Sequence, residues 1–298
     1  MSIRVFIDGE AGTTGLQIRD KLAGRDDIHL VGLPPELRKD SAAKRDLLRQ
    51  VEFVILCLPD EAAKEAARLI DDMGDTGPRV IDASSAHRVA PGWIYGFPEM
   101  AVGQGARVRE ARKVSNPGCH ATGAIALLRP LTEAGLLTRD QAVSIGSVSG
   151  YSGGGKAMIE TYEYGRAPAF EHYALGLEHK HMAEICEYSG LTRRPVFVPS
   201  VANFRQGMLT SVPLHGISGA DLRGVLARYY EGQKYVRVAP PTEAGRLEPE
   251  ALNDTNDLEI HVFANDSRGQ AVIVARFDNL GKGASGAAVQ NLDLMIGR

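Results

Sequence analysis

Residues 3–15 of the chain read Ile3-Arg4-Val5-Phe6-Ile7-Asp8-Gly9-Glu10-Ala11-Gly12-Thr13-Thr14-Gly15. An apolar run that fits a buried strand is followed at once by glycines in the spacing G-x-x-G-x-x-G, where a helical pattern begins. Glycines here permit a tight turn, close approach of a pyrophosphate to the backbone, and close packing of helix on strand. The stretch predicts a dinucleotide-binding turn; the alternative is a strand-to-helix turn that binds nothing.

The same alternation of short apolar runs and helical patterns continues through residues 1–116. Strands that alternate with helices predict a parallel sheet built by right-handed crossovers. We therefore expect a doubly wound, Rossmann-type α/β domain that binds NADP over residues 1–116, rejoined by a C-terminal helix at residues 284–298. The expected strands are Ile3–Ile7, Ile28–Leu33, Phe53–Leu58, Arg79–Ala83 and Lys113–Ser115, and the expected helices are Thr14–Ala23 and Glu61–Ile70.

The pattern changes after residue 116. A helix is expected to begin at Cys119, and Pro130 is expected to kink or end it because proline has no backbone N–H. Several later runs alternate apolar and polar residues, as strands with one covered face do. Residues 117–283 are therefore expected to form an α+β domain with a mostly antiparallel sheet, for catalysis, substrate binding and oligomerisation. The expected strands are Ala142–Val148, Pro195–Pro199, Met208–Leu214, Leu258–Ala264 and Ala271–Phe277, with a helix at Asp221–Tyr230.

The composition excludes several classes of protein. With 298 residues, 44% of them hydrophobic and 24% charged, the chain is typical of a globular protein with a sizeable core. Its 34 basic and 37 acidic residues give a net charge of −3, which favours neither a nucleic-acid partner nor a membrane surface. Cys57, Cys119 and Cys186 have no disulfide or metal spacing, and no signal peptide or membrane span is evident, so a cytoplasmic enzyme is expected.

The end of the second expected strand bears on the choice of cofactor. NAD-binding turns usually place an acidic residue there, where it holds the ribose hydroxyls. Here Glu36 is displaced from the strand end and is followed by Arg38 and Lys39, which favours the 2′-phosphate of NADP(H). The alternative is that these basic side chains are only solvated.

Cys119 lies in the segment Lys113-Val114-Ser115-Asn116-Pro117-Gly118-Cys119-His120-Ala121-Thr122-Gly123, at the start of an expected helix. The first-turn N–H groups and the positive end of the helix dipole stabilise a thiolate there. The same N–H groups could hold the oxyanion that forms when the sulfur attacks an acyl carbon. These features predict a nucleophile; the alternative is a small buried apolar residue, the usual role of a lone cysteine.

A second cluster of reactive groups is Glu178-His179-Lys180-His181-Met182-Ala183-Glu184. Imidazole suits proton transfer near neutral pH, and a carboxylate orients it and stabilises its charged form. A helical turn is expected to bring His179 and His181 near Glu184. Two histidines and one acid are too few for a metal site, so no metal is expected. Surface histidines with no role are the other alternative.

A thiol nucleophile, a proton-transfer group and a nicotinamide cofactor together narrow the chemistry. Attack of the thiolate on an activated acyl group gives a thioester. Hydride delivery to that thioester gives a thiohemiacetal, which releases an aldehyde. The combination predicts an aldehyde dehydrogenase that works in the reductive direction.

Five motifs, in this order along the chain, resemble those of a known family. They are Ser115-Asn116-Pro117-Gly118-Cys119, Ser149–Lys156, Glu178-His179-Lys180-His181, Val198–Met208 and Asp278–Asn291. Together they strongly resemble the N-acetyl-γ-glutamyl-phosphate reductases of arginine biosynthesis in their shorter form, over nearly the whole chain. The departures are His87-Arg88, where longer members tend to carry Phe-Arg, and the glycine-rich run Gly153-Gly154-Gly155.

The resemblance implies NADPH-dependent reductive dephosphorylation of N-acetyl-γ-glutamyl phosphate to the 5-semialdehyde, through a cysteine thioester, by a homo-oligomer (a tetramer or a dimer). It implies that Cys119 is the nucleophile and His179 the general acid/base, positioned by His181 and Glu184. The residues expected at the cofactor are Gly9, Gly12, Thr13, Thr14, Gly15, Arg38, Ser84, Ser85, Asn279, Gly281 and Lys282. Those expected at the substrate are Arg88, Asn116, Ser152 and Arg205, the arginines because a planar guanidinium suits a phosphate or a carboxylate.

Other functions remain open at this point. An aspartate-semialdehyde dehydrogenase would share the two-domain plan and the cysteine–histidine chemistry. A non-catalytic NADP(H)-binding regulator would keep the cofactor and lose the chemistry at Cys119. A related substrate, such as a carrier-linked glutamyl or aminoadipyl phosphate, would use the same residues.

Overall fold

The computed structural model describes residues 2–38, 40–165, 167–242 and 245–298, so Lys39 lies outside the described residues. The chain divides into two compact units. The first comprises Met1–Pro98, Gly103–Pro117 and Ala284–Arg298, and the second comprises Glu99–Val102 and Gly118–Gly283. Within the described ranges, no helix is both long enough and apolar enough to cross a membrane.

The described part of the first unit is built on one parallel sheet. Its strands are β1 (Ile3–Asp8), β2 (Ile28–Val31), β3 (Phe53–Leu56), β4 (Arg79–Asp82), β5 (Ile94–Tyr95) and β6 (Lys113–Ser115). Their order is β2-β1-β3-β4-β6-β5, and every pairing is parallel. The helices are α1 (Thr13–Leu22), α2 (Ser41–Leu48), α3 (Asp60–Asp71), α4 (Gln104–Glu110) and, at the C-terminus, α9 (Gly286–Met295).

Both faces of this sheet are buried, as a doubly wound fold requires. Val5 and Ile7 lie in one apolar cluster, whereas Phe6, between them, lies in another, because successive side chains of a strand point to opposite faces. Leu292 and Met295 of α9 pack in the cluster of Val5, so the C-terminal helix belongs to this unit. The predicted doubly wound fold is therefore confirmed, although α2, α4 and the two-residue β5 were not among the expected elements.

The second unit carries a mixed, mostly antiparallel sheet. Its strands are β7 (Ser144–Gly150), β8 (Phe170–His172), β9 (Val196–Ala202), β10 (Met208–His215), β11 (Val236–Val238), β12 (Leu258–Asn265) and β13 (Gln270–Phe277). The order is β11-β12-β13-β10-β7-β9-β8; β7 with β9 and β11 with β12 are the parallel pairs. The helices are α5 (Cys119–Glu133), α6 (Gly155–Glu163), α7 (Met182–Tyr188) and α8 (Gly219–Tyr229). The expected α+β architecture is confirmed.

Helix α5 begins at Cys119, as expected; of the two outcomes predicted for Pro130, a kink or an end, the end is wrong. The helix continues to Glu133. Pro130 has no N–H to offer to the carbonyl of Ala126, and the buried hydroxyl of Tyr230 donates to that oxygen instead. A tertiary hydrogen bond thus compensates for the bond that proline removes from the helix.

Candidate active site

The three glycines of the turn after β1 have different steric surroundings. Gly9 has a φ of +90°, and a Cβ there would collide with the backbone carbonyl of Cys57. A Cβ on Gly15 would lie 2.5 Å from the carbonyl oxygen of Gly9. Gly12, the N-cap of α1, meets nothing closer than 3.5 Å, so its backbone stays open on the side where a phosphate would approach. Thr13 and Thr14 follow in the first turn of α1, where N–H groups lack helical acceptors.

A cavity of about 690 Å³ adjoins this turn within the first unit. Gly9, Arg38, Ser41, Lys44 and Arg45 are among its lining residues. The guanidinium of Arg38 pairs with Glu10 at 2.5 Å, and the ammonium of Lys44 pairs with Asp8 at 2.7 Å. The side chain of Arg45 forms no hydrogen bond or ion pair with any described residue. Lys44 and Arg45 were missed from the sequence because α2, which carries them, is only eight residues long, too short for a helical period to be distinguished.

Ser84 and Ser85 lie in the loop after β4, where both hydroxyls bind carboxylates. The Ser84 hydroxyl donates to the buried Asp82 at 2.7 Å, and the Ser85 hydroxyl donates to Asp60 at 2.8 Å. The Nδ1 atom of His87 lies 2.6 Å from Oδ2 of Asp82, the same oxygen that accepts from the Ser84 hydroxyl. These bonds fix the loop at the carboxyl end of β4, and the serine roles at a cofactor stay predictions.

Arg88 and Asn116, both expected at the substrate, contact each other in the first unit. The Arg88 Nε atom donates to the backbone oxygen of Asn116 at 3.0 Å, and the arginine is buried. The Asn116 amide nitrogen donates to the backbone oxygen of Ala284 at 2.9 Å, and its oxygen accepts from Asn291 at 3.1 Å. The Asn116 side chain thus anchors the C-terminal segment, so a further contact with substrate would share an amide already in use.

Cys119 is the first residue of α5 and is partly exposed. The N–H of Gly118, the N-cap, donates to Glu184 at 3.0 Å, so the carboxylate ties the start of α7 to the start of α5. Gly283 packs against the cysteine, since a Cβ on Gly283 would lie 2.8 Å from the Cys119 Cβ. Gly283 was missed from the sequence, where its place in a glycine-rich motif is its only signal.

The histidine cluster is arranged differently from the expected helical turn. His179 precedes α7 in irregular backbone, and His181 is the N-cap of that helix. Their ring centroids are 4.6 Å apart, and the His179 Nδ1 atom accepts the backbone N–H of His181 at 3.1 Å. Glu184, 1% exposed, lies in the first turn of α7. The structure therefore gathers Cys119, both histidines and Glu184 within the second unit.

A third histidine, His120, was missed from the sequence. It follows Cys119 in α5, and its ring lies 5.5 Å from that of His179 and 5.6 Å from that of His181. Its Nε2 atom is 2.8 Å from the Tyr173 hydroxyl. Burial lowers the pKa of His120 to about 3, and the charges of His179 and Lys180 act in the same direction. At neutral pH this imidazole is uncharged.

Asn279 and Ser152, assigned to cofactor and substrate respectively, contact each other in the second unit. The Asn279 amide nitrogen donates to the Ser152 hydroxyl at 3.0 Å, and its oxygen accepts the N–H of Gly207 at 2.8 Å. A Cβ on Gly281 would collide with the backbone oxygen of Thr255, so that position needs glycine for packing. The two hydrogen bonds of Asn279 connect the three loops that carry Ser152, Gly207 and Asn279, whether or not a ligand is bound.

The two remaining cations differ in exposure. Lys282 is 1% exposed, and its ammonium lies 2.8 Å from both oxygens of Glu99, also buried. This pair holds Lys282 in the interior of the second unit, and its role at a cofactor stays a prediction. The Arg205 side chain is 59% exposed and pairs with Glu163 at the surface.

Comparisons with known proteins agree with this geometry. The family model described as the semialdehyde dehydrogenase NAD binding domain matches residues 25–106, and the one described as the semialdehyde dehydrogenase dimerisation domain matches residues 119–279. An N-acetyl-gamma-glutamyl-phosphate reductase of Burkholderia cenocepacia is 51% identical over 98% of this chain and 97% of its own. One of Chelativorans sp. is 52% identical over 99% of each chain.

Solved structures resemble the chain in fold. Aspartate semialdehyde dehydrogenase II from Vibrio cholerae covers 99% of both chains with a TM-score of 0.73 at 16% identity. Aspartate semialdehyde dehydrogenase from Francisella tularensis covers 99% of this chain and 100% of its own, with a TM-score of 0.75 at 13% identity. At these identities the likeness shows the architecture alone.

Proposed function

The chain belongs to the N-acetyl-γ-glutamyl-phosphate reductases, the oxidoreductases of arginine biosynthesis, in their shorter form, and from this premise we propose that it works through a thioester on Cys119 with NADPH as reductant. The single observation that carries the proposal is the position of Cys119 at the N-terminus of α5, in the unit that also brings His120, His179 and His181 together. The family predicted from the motifs is confirmed. The roles of individual residues are proposals.

The residues of the first unit fit a dinucleotide. Gly9 and Gly15 are required by backbone packing, whereas Gly12 leaves room above the N-terminus of α1, where first-turn N–H groups would hold a pyrophosphate. A bound nicotinamide dinucleotide would supply the hydride for the reduction. Within the chain, the turn and the adjoining cavity bind and orient that group.

We propose NADP(H) rather than NAD(H). Glu36, the nearest acid after β2, is not among the residues that line the cavity, whereas Arg38, Lys44 and Arg45 are. Arg38 and Lys44 already have carboxylate partners, whereas Arg45 and Arg68, which also lines the cavity, have none among the described residues. Of these two, Arg45 lies on α2, the helix that follows β2, and we propose it as the partner of a 2′-phosphate. Arg38 would add positive charge to the cavity that it lines together with Gly9.

In the proposed reaction the Cys119 thiolate attacks the acyl carbon of the substrate. The S–C bond forms, the bond between that carbon and the phosphate oxygen breaks, and inorganic phosphate leaves with its electron pair. After two-electron reduction at the same carbon, the S–C bond breaks, the aldehyde leaves and the thiolate is restored. The dipole of α5 and its first-turn N–H groups stabilise negative charge on the sulfur and on the acyl oxygen.

His179 remains the proposed proton-transfer residue, with a defined tautomer. Because its Nδ1 atom accepts the N–H of His181, the neutral ring carries its hydrogen on Nε2 and donates from there. Uptake of a second proton at Nδ1 would break the bond to His181. His181, buried and 4.6 Å away between ring centroids, is therefore a second candidate for holding the cysteine proton. The variants His179→Asn and His181→Asn separate the two, since the true base alone removes the acidic limb of the pH profile of kcat/KM.

For the anionic groups of the substrate we propose Arg88 and Arg205. Among the described residues, the Arg205 side chain pairs with Glu163 alone, at the surface, where water and a competing anion weaken the pair. Arg88 is buried and is oriented by the carbonyl of Asn116. Loss of either arginine is expected to raise KM for the acyl substrate more than it lowers kcat.

The test of the function uses the reverse reaction. Phosphate-dependent reduction of NADP⁺ is expected with N-acetylglutamate 5-semialdehyde and not with aspartate semialdehyde. Cys119→Ser should abolish turnover while cofactor binding, measured by fluorescence or calorimetry, is retained. A preference for aspartate semialdehyde, or turnover by Cys119→Ser, would overturn the proposal, and so would cofactor binding without any turnover.

We also propose a homo-oligomer. Residues 119–279 match a dimerisation domain, and one face of the second sheet presents Phe170, Leu209, Phe263, Val272 and Val274 around a cavity of about 610 Å³. Phe170 is 50% exposed, which is costly for an aromatic side chain that stays in water. Sedimentation analysis should show a dimer or a tetramer, and a monomer at all concentrations would contradict this.

A further inference from the structure

A buried chain of polar groups runs from β10 to the neighbourhood of Cys119. The Thr210 hydroxyl lies 2.8 Å from the Ser147 hydroxyl, which lies 2.8 Å from Nδ1 of His120. The Nε2 atom of His120 lies 2.8 Å from the hydroxyl of Tyr173. Thr210, Ser147 and His120 are all buried, so each O–H or N–H hydrogen of these side chains must find an acceptor within the protein.

The α5 backbone leaves room for this chain. Gly123, four residues after Cys119, packs directly on the first member: a Cβ there would lie 2.5 Å from the Thr210 hydroxyl oxygen. Phe197 closes another side, with its ring 5.4 Å from that of His120. The buried chain of polar groups is therefore part of the packed interior of the second unit and not a contact at its surface.

The direction of the hydrogens follows from counting donors. His120 is neutral, so one ring nitrogen donates and the other accepts. The Thr210 hydroxyl is fully buried and has no other hydrogen-bond partner among the described residues, so its hydrogen is donated to Ser147. Ser147 has one hydrogen of its own and two remaining acceptors within reach, Nδ1 of His120 at 2.8 Å and the backbone oxygen of Leu209 at 3.3 Å. The shorter contact is the better hydrogen bond. With Ser147 donating to Nδ1, the His120 Nε2–H donates to Tyr173, and the phenolic hydrogen points away from His120.

We propose that Tyr173 is a further catalytic residue, whose hydroxyl donates a hydrogen bond to the oxygen of the acyl group carried by Cys119, and that His120 is the positioning residue that turns the phenolic hydrogen outward. His120 is the only hydrogen-bond partner that the described residues give to the Tyr173 hydroxyl. Its hydrogen is thus available to a ligand oxygen. This inference rests on the proposed role of Cys119 as the nucleophile.

Two further observations support the assignment. Burial raises the pKa of Tyr173, and negative charge on Cys119 raises it further, which places the phenol within electrostatic reach of the sulfur and keeps it protonated as a donor. The Tyr173 ring also lies 5.7 Å from the ring of His179. A phenol that contacts His120, the residue after Cys119, and lies beside His179 is placed to meet an oxygen on the carbon attached to the sulfur, where charge develops in the tetrahedral state.

The test compares two reactions of the same thiol. Acyl chemistry is followed by phosphate-dependent NADP⁺ reduction with N-acetylglutamate 5-semialdehyde, which passes through an oxyanion. Alkylation of Cys119 by iodoacetamide is attack at a saturated carbon and forms no oxyanion. Tyr173→Phe should lower kcat on the order of 10²-fold with little change in KM, and leave the alkylation rate constant unchanged. Tyr164→Phe, at a tyrosine that is 79% exposed, is the matched control and should change neither rate.

His120 is tested through its effect on Tyr173. His120→Leu should lower kcat as much as Tyr173→Phe does. The double variant should have a kcat no lower than that of either single variant, because both substitutions remove the same hydrogen bond to the acyl oxygen. His120→Gln keeps an N–H donor at the end of the side chain and should recover much of the rate. Additive losses, or parallel losses of turnover and alkylation, would reduce both residues to structural roles and overturn the inference.

Failure of the inference is distinguishable from failure of the proposed function. If alkylated Cys119 still turns over, the nucleophile is wrong and both proposals fall. If alkylation abolishes turnover but Tyr173→Phe keeps the wild-type kcat, only the role of Tyr173 falls.

Discussion

The hydroxyl of Tyr230 donates a hydrogen bond of 2.9 Å to the backbone oxygen of Ala126, the acceptor that Pro130 leaves without an N–H in α5. Both residues are buried. An unpaired carbonyl at this depth would be costly, and water has no access to it. A side chain that follows α8 therefore lets the helix that begins at Cys119 continue past a proline.

The first prediction concerns the stability of that helix. Tyr230→Phe should lower the free energy of unfolding by about 1–3 kcal/mol, because the Ala126 carbonyl is left buried and unpaired. Urea unfolding at fixed protein concentration measures it. Pro130→Ala restores an N–H to the helix, so the same tyrosine change should cost less in that background; equal costs would contradict the pairing.

The second prediction concerns the packing of the nucleophile. Gly283→Ala places a methyl group 2.8 Å from the Cys119 Cβ, so the cysteine must shift. A displacement of this kind is expected to lower kcat on the order of 10²-fold. Gly105→Ala is the matched control, since its Cβ would meet only Pro98, at 3.9 Å. Full activity of Gly283→Ala would show that the contact does not position the thiol.

The third prediction is a pH dependence of stability. The pKa of His120 is lowered from 6.5 to about 3 in the folded state, so between these values the unfolded chain binds a proton that the folded chain does not. The contribution is fully present above pH 6.5 and is lost as the pH falls, at about 1.4 kcal/mol per pH unit. His179, Lys180, His181 and Tyr173 face the same ring. His120→Gln should flatten the slope relative to the wild type; identical slopes would contradict the burial of a neutral imidazole.

The fourth prediction concerns cofactor choice. Arg45→Ala should raise KM for NADPH by about 10- to 100-fold, as expected for loss of a charged hydrogen bond to a 2′-phosphate, and leave KM for NADH unchanged. Arg49→Ala, on an exposed arginine that pairs with Asp46 and does not line the cavity, is the control. A rise in KM for both cofactors would assign Arg45 to general binding rather than to the phosphate.

Elements long enough to show a clear apolar period could be predicted from the sequence, and most of the short elements could not. Strand β6 was expected with its observed limits, Lys113–Ser115, and β1 was expected with its observed start but ends one residue later than predicted, at Asp8. Helix α2 was not expected, because its eight residues are too few for a helical period to be distinguished, and it is the element that brings Lys44 and Arg45 to the cavity. The two-residue β5 is too short to show any period.

The sequence by itself determined the glycine turn after β1, the alternation of strands and helices, the cysteine at a helix start and the family, because each depends on motifs whose residues are close together in the chain. Only the tertiary structure decided how polar groups pair. It placed Tyr230 on the carbonyl freed by Pro130, Glu184 on the N–H of Gly118, Glu99 on Lys282, and His120 between Ser147 and Tyr173. Hydrogen bonds inside a protein act over about 3 Å in space and not along the chain, so their partners are known only once distant segments are packed together.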